Sequence, residues 1–189
     1  MPELPEVETI KNQLQVFFPF KITSEVTTPE FSSIQKTSYF ELKGKTILRS
    51  CRKGKMLYFE LDSDEILFCH LGMSGSWQIS ESKIQEKHTH LLLRGTYKNK
   101  QYYLGYIDPR RFGNMYLCTK DQSVFHFKKL GVDVSSSDFS VDILNDILKK
   151  FPNWEIKPFL MEQKYLSGVG NYMASEICAL SGIRPTRKN

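Results

Sequence analysis

Apolar residues at Val7, Ile10, Leu14 and Phe17 recur at helical spacing behind Pro5, which suits a first helical turn, and Pro19 ends the pattern. The chain is therefore expected to open with an amphipathic helix. From about residue 21 to 118 the period shortens to β-rich runs at 22–28, 46–51, 56–61, 66–71, 90–93, 101–107 and 114–117. Turn signals at Lys43-Gly44, Asp62-Ser63-Asp64, Gly95 and Lys98-Asn99 separate them, and a helical interlude is expected over 32–40. This spacing predicts an antiparallel β-sandwich. Beyond about residue 120 the period is helical again, over 124–130, 139–151, 154–161 and 172–180, the last stopped by Gly182 and Pro185. The Ser- and Asp-rich stretch 131–138 reads as a linker. The expected fold class is α+β, with an N-terminal helix plus antiparallel β-sandwich over 1–130 and a partial helical domain over 139–189.

A length of 189 residues holds one good-sized domain and part of a second. Hydrophobic residues at 40% and charged residues at 25% exclude a disordered or fibrous chain. No run of about 18 apolar residues exists, so no membrane helix is expected. The start is acidic and proline-bearing, the opposite of a secretory signal, and an intracellular location, cytoplasmic or nucleoid-associated, is expected. Cys51, Cys69, Cys118 and Cys178 stand far apart with no CxxC pair, which gives neither a disulfide framework nor a zinc knuckle. A net charge of +5 tilts the chain toward polyanions. Bases cluster at 49–55, 110–111, 128–129, 149–150 and 184–188, whereas Glu3, Glu6 and Glu8 crowd the start. A basic chain with one acidic spot points to chemistry at that spot.

Met1 precedes a small residue, a context in which the initiator is normally removed, leaving the secondary amine of Pro2 as the mature terminus. An α-amine titrates at about pKa 8, so a useful fraction is unprotonated near neutrality. It can attack an electrophilic carbon and, being secondary, gives a cationic iminium directly. Glu3 beside it can move a proton. Glu3 and Glu6 also suit a helix N-terminus by charge alone, and Met-Pro-Glu starts are common.

Five segments change that weighting. PELPEVET at 2–9, RKGK at 52–55, HLGMSG at 70–75, DPRRFG at 108–113 and SGVGNYMASE at 167–176 closely resemble, in this order and over the whole chain, the formamidopyrimidine-DNA glycosylase family, which also contains the endonuclease VIII enzymes. PELPEVET and DPRRFG resemble the formamidopyrimidine branch more. The resemblance implies a base-excision-repair glycosylase with abasic-site lyase activity, removing oxidised purines such as 8-oxoguanine and formamidopyrimidines from double-stranded DNA. By it, Pro2 attacks C1′ of a flipped nucleotide, and the resulting iminium undergoes β- and then δ-elimination. Glu3 is the implied proton shuttle, and Glu6 faces the sugar of the same nucleotide. Lys55 matches the family's lysine that holds a phosphate beside the lesion and assists elimination.

Met73, Arg110 and Phe112 match the family's void-filling side chains, the apolar pair wedging the stack while the arginine reads the widowed cytosine. Arg111 is expected to be structural and paired with Asp108. His70 and His88 match DNA-contacting positions, while His90 and His126 read as structural. His88 and His90 are expected to alternate across a strand, which argues against a metal pair. Lys157 of IKPF and Asn171 of GVGN fall on the family's helix-two-turns-helix element, which grips backbone phosphates, with Gly168 and Gly170 permitting close approach. Arg52 and Lys53 read as phosphate or surface charges. A monomer acting on DNA that contains oxidised purines or abasic sites is expected.

The sequence departs from the family in one large respect. The family normally continues with two more helices, a loop that closes over the flipped base, and a four-cysteine zinc hairpin whose arginine clasps DNA. None is found here, and the four cysteines cannot assemble the zinc set, so no cofactor is expected. Met56 is a smaller departure, standing where an aromatic is common. A truncated, noncatalytic damaged-DNA-binding protein is the alternative, favoured by the absent part, whereas intact Pro2, Glu3 and Lys55 favour the enzyme.

Overall fold

The computed structural model describes residues 2–188, which cluster into two compact units. One contains the described residues up to 52 together with 56–124; the other contains 53–55 and the residues from 125 onward. The division thus falls six residues before the expected domain end at 130 and assigns the RKGK turn to the second unit.

In the first unit, helix α1 (Leu4–Gln15) buries Leu4, Val7 and Leu14 on one face, as the helical spacing requires. Eight strands follow: β1 (Phe20–Thr27), β2 (Thr46–Lys53), β3 (Met56–Leu61), β4 (Glu65–His70), β5 (Ser76–Ser80), β6 (Thr89–Tyr97), β7 (Lys100–Ile107) and β8 (Asn114–Thr119). They form one antiparallel sheet in the order β5-β7-β6-β1-β2-β3-β4-β8. In a flat sheet the six steps from β5 to β4 would span roughly 29 Å. Yet Trp77 Nε1–H of β5 donates to Cys69 Sγ of β4 at 3.3 Å, and the Trp77 and Phe59 rings lie 5.2 Å apart. The sheet therefore folds back on itself into two layers. The fold-over falls at β1, which meets β2 only at Phe20 and Lys21 and shifts register against β6 between Ile22 and Ser24. Between the layers lies a core that includes Phe20, Phe59, Leu67, Leu104, Tyr106 and Met115.

Three local expectations need correction. The interlude at 32–40 is not a helix: a 3-10 turn at Pro29–Ser33 leads into irregular chain. Side chains there bond to nearby carbonyls, Ser32 Oγ to Pro29 O at 2.9 Å and Thr37 Oγ1 to Tyr39 O at 2.9 Å, in competition with a helical ladder. Gly95 makes no turn. It sits inside β6, where a Cβ would come within 2.4 Å of Lys21 O. Strand β5 was not foreseen, because only Trp77 and Ile79 of its five residues are apolar.

In the second unit, helix α2 (Lys120–Lys128), across which the division falls, is followed by strand β9 (Val132–Asp133), α3 (Val141–Lys149), α4 (Ile156–Leu160), strand β10 (Leu166–Ser167) and α5 (Asn171–Leu180). Ser140 caps α3 by accepting from Ile143 N–H at 3.2 Å. Phe159, Leu160, Leu166, Val169, Ala174 and Cys178 form its core. The stretch 131–138 is no free linker, since β9 pairs in parallel with β10 and Asp133 is buried. Among the described residues no helix is long and apolar enough to cross a membrane.

Candidate active site

Pro2 is half-buried and leads directly into α1, with Glu3 buried at the N-cap. Glu3 N–H donates to Glu6 Oε2 at 2.8 Å in the reciprocal geometry of a capping box, which fixes the first turn. Glu6 is exposed. The helix is then pinned to β2 at two levels. Ser50 N–H donates to Gln15 Oε1 at 2.8 Å and Ser50 Oγ to Lys11 O at 2.9 Å. Nearer the terminus Arg52 Nε donates to Glu8 Oε2 at 2.8 Å, with Lys11 Nζ 2.6 Å from the other carboxylate oxygen. Burial alone would raise Glu8, but the hydrogen bonds and charges of Lys11 and Arg52 outweigh it and hold the carboxyl below its ordinary range. Arg52 is thus no surface charge: its side chain is 8% exposed and carries the helix that presents Pro2 and Glu3.

Met73, Arg110 and Phe112 lie on two loops of the first unit. Met73 is 43% and Phe112 52% exposed, although their loops are flanked by the buried Leu71 and Gly113. The Arg110 guanidinium sits 4.8 Å from the Phe112 ring centroid. Gly72, at φ +64, lets the loops touch, since a Cβ there would lie 2.4 Å from the Phe112 carbonyl carbon. His70, ahead of Met73, accepts from Gly72 N–H through Nδ1 at 3.1 Å.

Arg111 is not the partner of Asp108. The Asp108 side chain receives Ser74, Tyr106 and the backbone of Arg110 and Gly113 instead, and Arg111 approaches it only through its N–H to Asp108 O at 3.2 Å. At φ +55 the Arg111 side chain turns into a polar cleft of about 460 Å³ shared with Thr28, Glu30, His88 and His90. The expected alternation of the two histidines also fails. His88 precedes β6 at φ +70, the register shifts between Thr89 and Leu91, and the imidazole rings lie 6.3 Å apart beside the same cleft. His90 is buried with both nitrogens engaged: Nε2 donates to Asp108 O at 3.1 Å, since a carbonyl can only accept, and Nδ1 accepts from Thr28 Oγ1 at 3.0 Å.

In the second unit Lys55 Nζ donates to Val169 O at 3.1 Å. The same carbonyl accepts from Gln163 Nε2 at 2.8 Å, while Gln163 Oε1 accepts from Gly168 N–H at 3.0 Å. One amide side chain thus braces the glycine turn against which the lysine rests. Gly54 N–H donates to Asp133 Oδ2 at 2.7 Å, and Asp133 Oδ1 accepts from Ser135 N–H and Oγ at 2.9 and 2.8 Å. Gly54 packs so closely on Ser167 that a Cβ would lie 2.7 Å from its Cβ. Lys157 Nζ donates to Ser175 Oγ at 2.9 Å, and Ser175 Oγ donates to Asn171 O at 2.8 Å, which links α4 to the first turn of α5. Asn171 is exposed there.

Sequence reasoning missed Ser74, Asp133, Gln163 and Ser175 as supports of these groups. No local pattern marks them: Ser74, Asp133 and Ser175 each have a partner 34, 79 and 18 positions away, and Gln163 reaches across the glycine turn to Gly168 and Val169. The residues present do not fit a zinc site. Cys69 is committed to Trp77, burial pushes its thiol up to about 12 and raises Cys118 and Cys51 as well, and Cys178 lies in the second core. Among the described residues no three His, Cys, Asp or Glu side chains group to hold a metal.

Residues 1–115 match the model of the formamidopyrimidine-DNA glycosylase N-terminal domain, and 130–189 that of the formamidopyrimidine-DNA glycosylase H2TH domain. The chain is similar to the formamidopyrimidine-DNA glycosylase of Syntrophomonas wolfei, 38% identical over 191 residues, covering all of this chain and 69% of that protein. It is similar also to that of Lactococcus lactis, at 36% over 197 residues, 99% of this chain and 69% of that protein. Among solved structures it resembles MutM in complex with DNA containing carbocyclic 8-oxo-G (TM-score 0.87, 33% identity, 99% of this chain and 70% of that one). It resembles too the Lactococcus lactis enzyme non-covalently bound to DNA containing an abasic site (TM-score 0.86, 34% identity, 99% of this chain and 72% of that one). The chain spans about 70% of the length of these proteins. With both family models and relatives matched over the whole of this chain in agreement, the chain belongs to the formamidopyrimidine-DNA glycosylase family.

Proposed function

We infer that this chain is a base-excision-repair DNA glycosylase with abasic-site lyase activity, acting on oxidised purines in double-stranded DNA through the amine of Pro2. The observation that carries the reading is the half-buried Pro2 beside the buried Glu3, on a helix whose first turn is closed by Glu6 and whose length is pinned by Arg52 and Ser50. Pre-organisation of that kind is what a nucleophile and its proton shuttle need.

Removal of Met1 frees the secondary amine. Its lone pair forms a bond to C1′ as the glycosidic bond breaks, and the base leaves with the glycosidic electron pair and takes up a proton. The amine loses its own proton to Glu3, which returns one to O4′ as the sugar ring opens, leaving a C1′ iminium. The iminium acidifies C2′; loss of that proton expels the 3′ phosphate, and further elimination expels the 5′ phosphate. Lys55, held at the Val169 carbonyl, steadies a departing phosphate as a point cation. Met73 and Phe112 fill the space of the extruded nucleotide, and Arg110 offers donors to the unpaired cytosine. His70 and His88 meet the backbone near the lesion, and Lys157 and Asn171 grip phosphates at a distance from it. No step needs a metal or another cofactor. The protein works as a monomer in the compartment that holds its DNA.

Replacing Pro2 with Gly, or Glu3 with Gln, is expected to abolish borohydride trapping on DNA while leaving the thermal transition close to that of the parent. Trapping at the parental rate by both variants overturns the assignment.

A further inference from the structure

The loops that carry Met73 and Phe112 converge on one buried carboxyl group. Asp108 has no exposed surface. Its Oδ1 accepts from Ser74 Oγ at 2.6 Å and Arg110 N–H at 3.3 Å, and its Oδ2 from Gly113 N–H at 2.8 Å and Tyr106 Oη at 3.3 Å. Burial, with the neighbouring Cys69 and Asp108, pushes the Tyr106 phenol far up, so it serves there as a donor. The main chain of Asp108 is held as well, its N–H donating to His88 O and its carbonyl accepting from His90 Nε2, both at 3.1 Å. Ser74, one residue from Met73, supplies the bridge between the loops, and its Oγ also accepts from Arg110 N–H at 3.2 Å. The close approach of Gly72 to the Phe112 backbone is an independent sign that the loops are one packed body.

We propose that Asp108 and Ser74 are positioning residues that clamp the two loops into a single wedge, so that Met73, Arg110 and Phe112 enter the vacated stack together. The proposal rests on the glycosylase reading above. Filling the hole left by an extruded base needs three side chains at fixed spacing at one moment. Loops that moved independently would have to be ordered during insertion, an entropic cost that the clamp removes beforehand. Neither Asp108 nor Ser74 needs to touch DNA for this, and both act through their neighbours.

Ser74→Ala removes the bridging hydroxyl from a surface loop, and Ser74→Thr keeps it. Loss of a hydrogen bond to a carboxyl predicts about a tenfold slower single-turnover excision of 8-oxoguanine opposite cytosine. Borohydride trapping on a pre-formed abasic site is expected to change less, and Ser74→Thr to recover most of the excision rate. Combined with Phe112→Ala, the loss is expected to fall well short of the product of the single effects, because both act on the wedge. Amide exchange across 108–113 is expected to quicken in Ser74→Ala. Full multiplicativity with Phe112→Ala, equal loss on both substrates, or unchanged amide exchange each overturns the clamp. A parent protein that traps on neither substrate overturns the glycosylase reading instead, and the exchange measurement then still decides whether the clamp exists.

Discussion

Phe112 keeps half its surface in solvent while the next residue, Gly113, is buried and hydrogen-bonded to Asp108. Leaving the ring half-exposed forgoes about 1 kcal/mol of burial. In the glycosylase reading that burial is recovered only when the ring enters the duplex. Phe112→Ala is therefore expected to slow removal of 8-oxoguanine about tenfold or more, and to slow cleavage of a pre-formed abasic site less. Equal losses in parallel single-turnover assays would contradict a wedge role. Arg110, stacked over the same ring, belongs to the same arrangement, whereas Arg111 points into the neighbouring cleft. The resemblance carried by DPRRFG gives the inserting position to Arg110 and a structural place to Arg111. Of the two, Arg111 alone adopts the left-handed conformation.

At the scale of elements, α1 is placed by polar pins as much as by its apolar face. The Glu8 carboxyl, held below its ordinary range by Lys11 and Arg52, contributes stability that is present above the unfolded glutamate pKa of about 4.3 and is lost as pH falls through the lower folded value. Glu8→Gln is expected to cost about 1 kcal/mol at pH 7, already discounted for the partial exposure of Glu8, and almost nothing well below pH 4, as read by urea denaturation at both pH values. An unchanged difference between the two would rule out the ion pair as the cause. In the second unit Asp133→Ala would remove the acceptor of Gly54 N–H and Ser135 N–H, a loss of about 2 kcal/mol by the same measurement. Elements with a clear apolar period were legible in the sequence. Helix α1, strand β3 and helix α5 lie close to where the spacing put them. The supports of the site were not, because the Gly54–Asp133 and Ser74–Asp108 contacts join residues 79 and 34 positions apart, beyond the reach of any local period. The interlude at 32–40 misled for the opposite reason: its serines and threonine satisfy the backbone locally and leave no helix.

For the whole molecule, a net charge of +5 with bases gathered in short clusters predicts binding to duplex DNA that weakens steeply with salt. Lys157→Ala is expected to weaken binding about equally on damaged and undamaged duplexes and to reduce the slope of log K against log salt by about one, as measured by fluorescence anisotropy. A change confined to damaged DNA would instead make Lys157 a lesion-reading residue. The chain covers about 70% of the length of its relatives, and every residue to which the proposed function gives a part, from Pro2 and Glu3 to Lys157 and Asn171, falls within that share. The central claim is that these parts act through Pro2. Its most direct test is borohydride reduction of the protein with duplexes carrying 8-oxoguanine opposite cytosine or a pre-formed abasic site, followed by mass-spectrometric mapping of the adduct. The account predicts a covalent adduct with both duplexes, on a peptide that begins at Pro2 and lacks Met1. An adduct on a lysine, or none with either duplex, would contradict it.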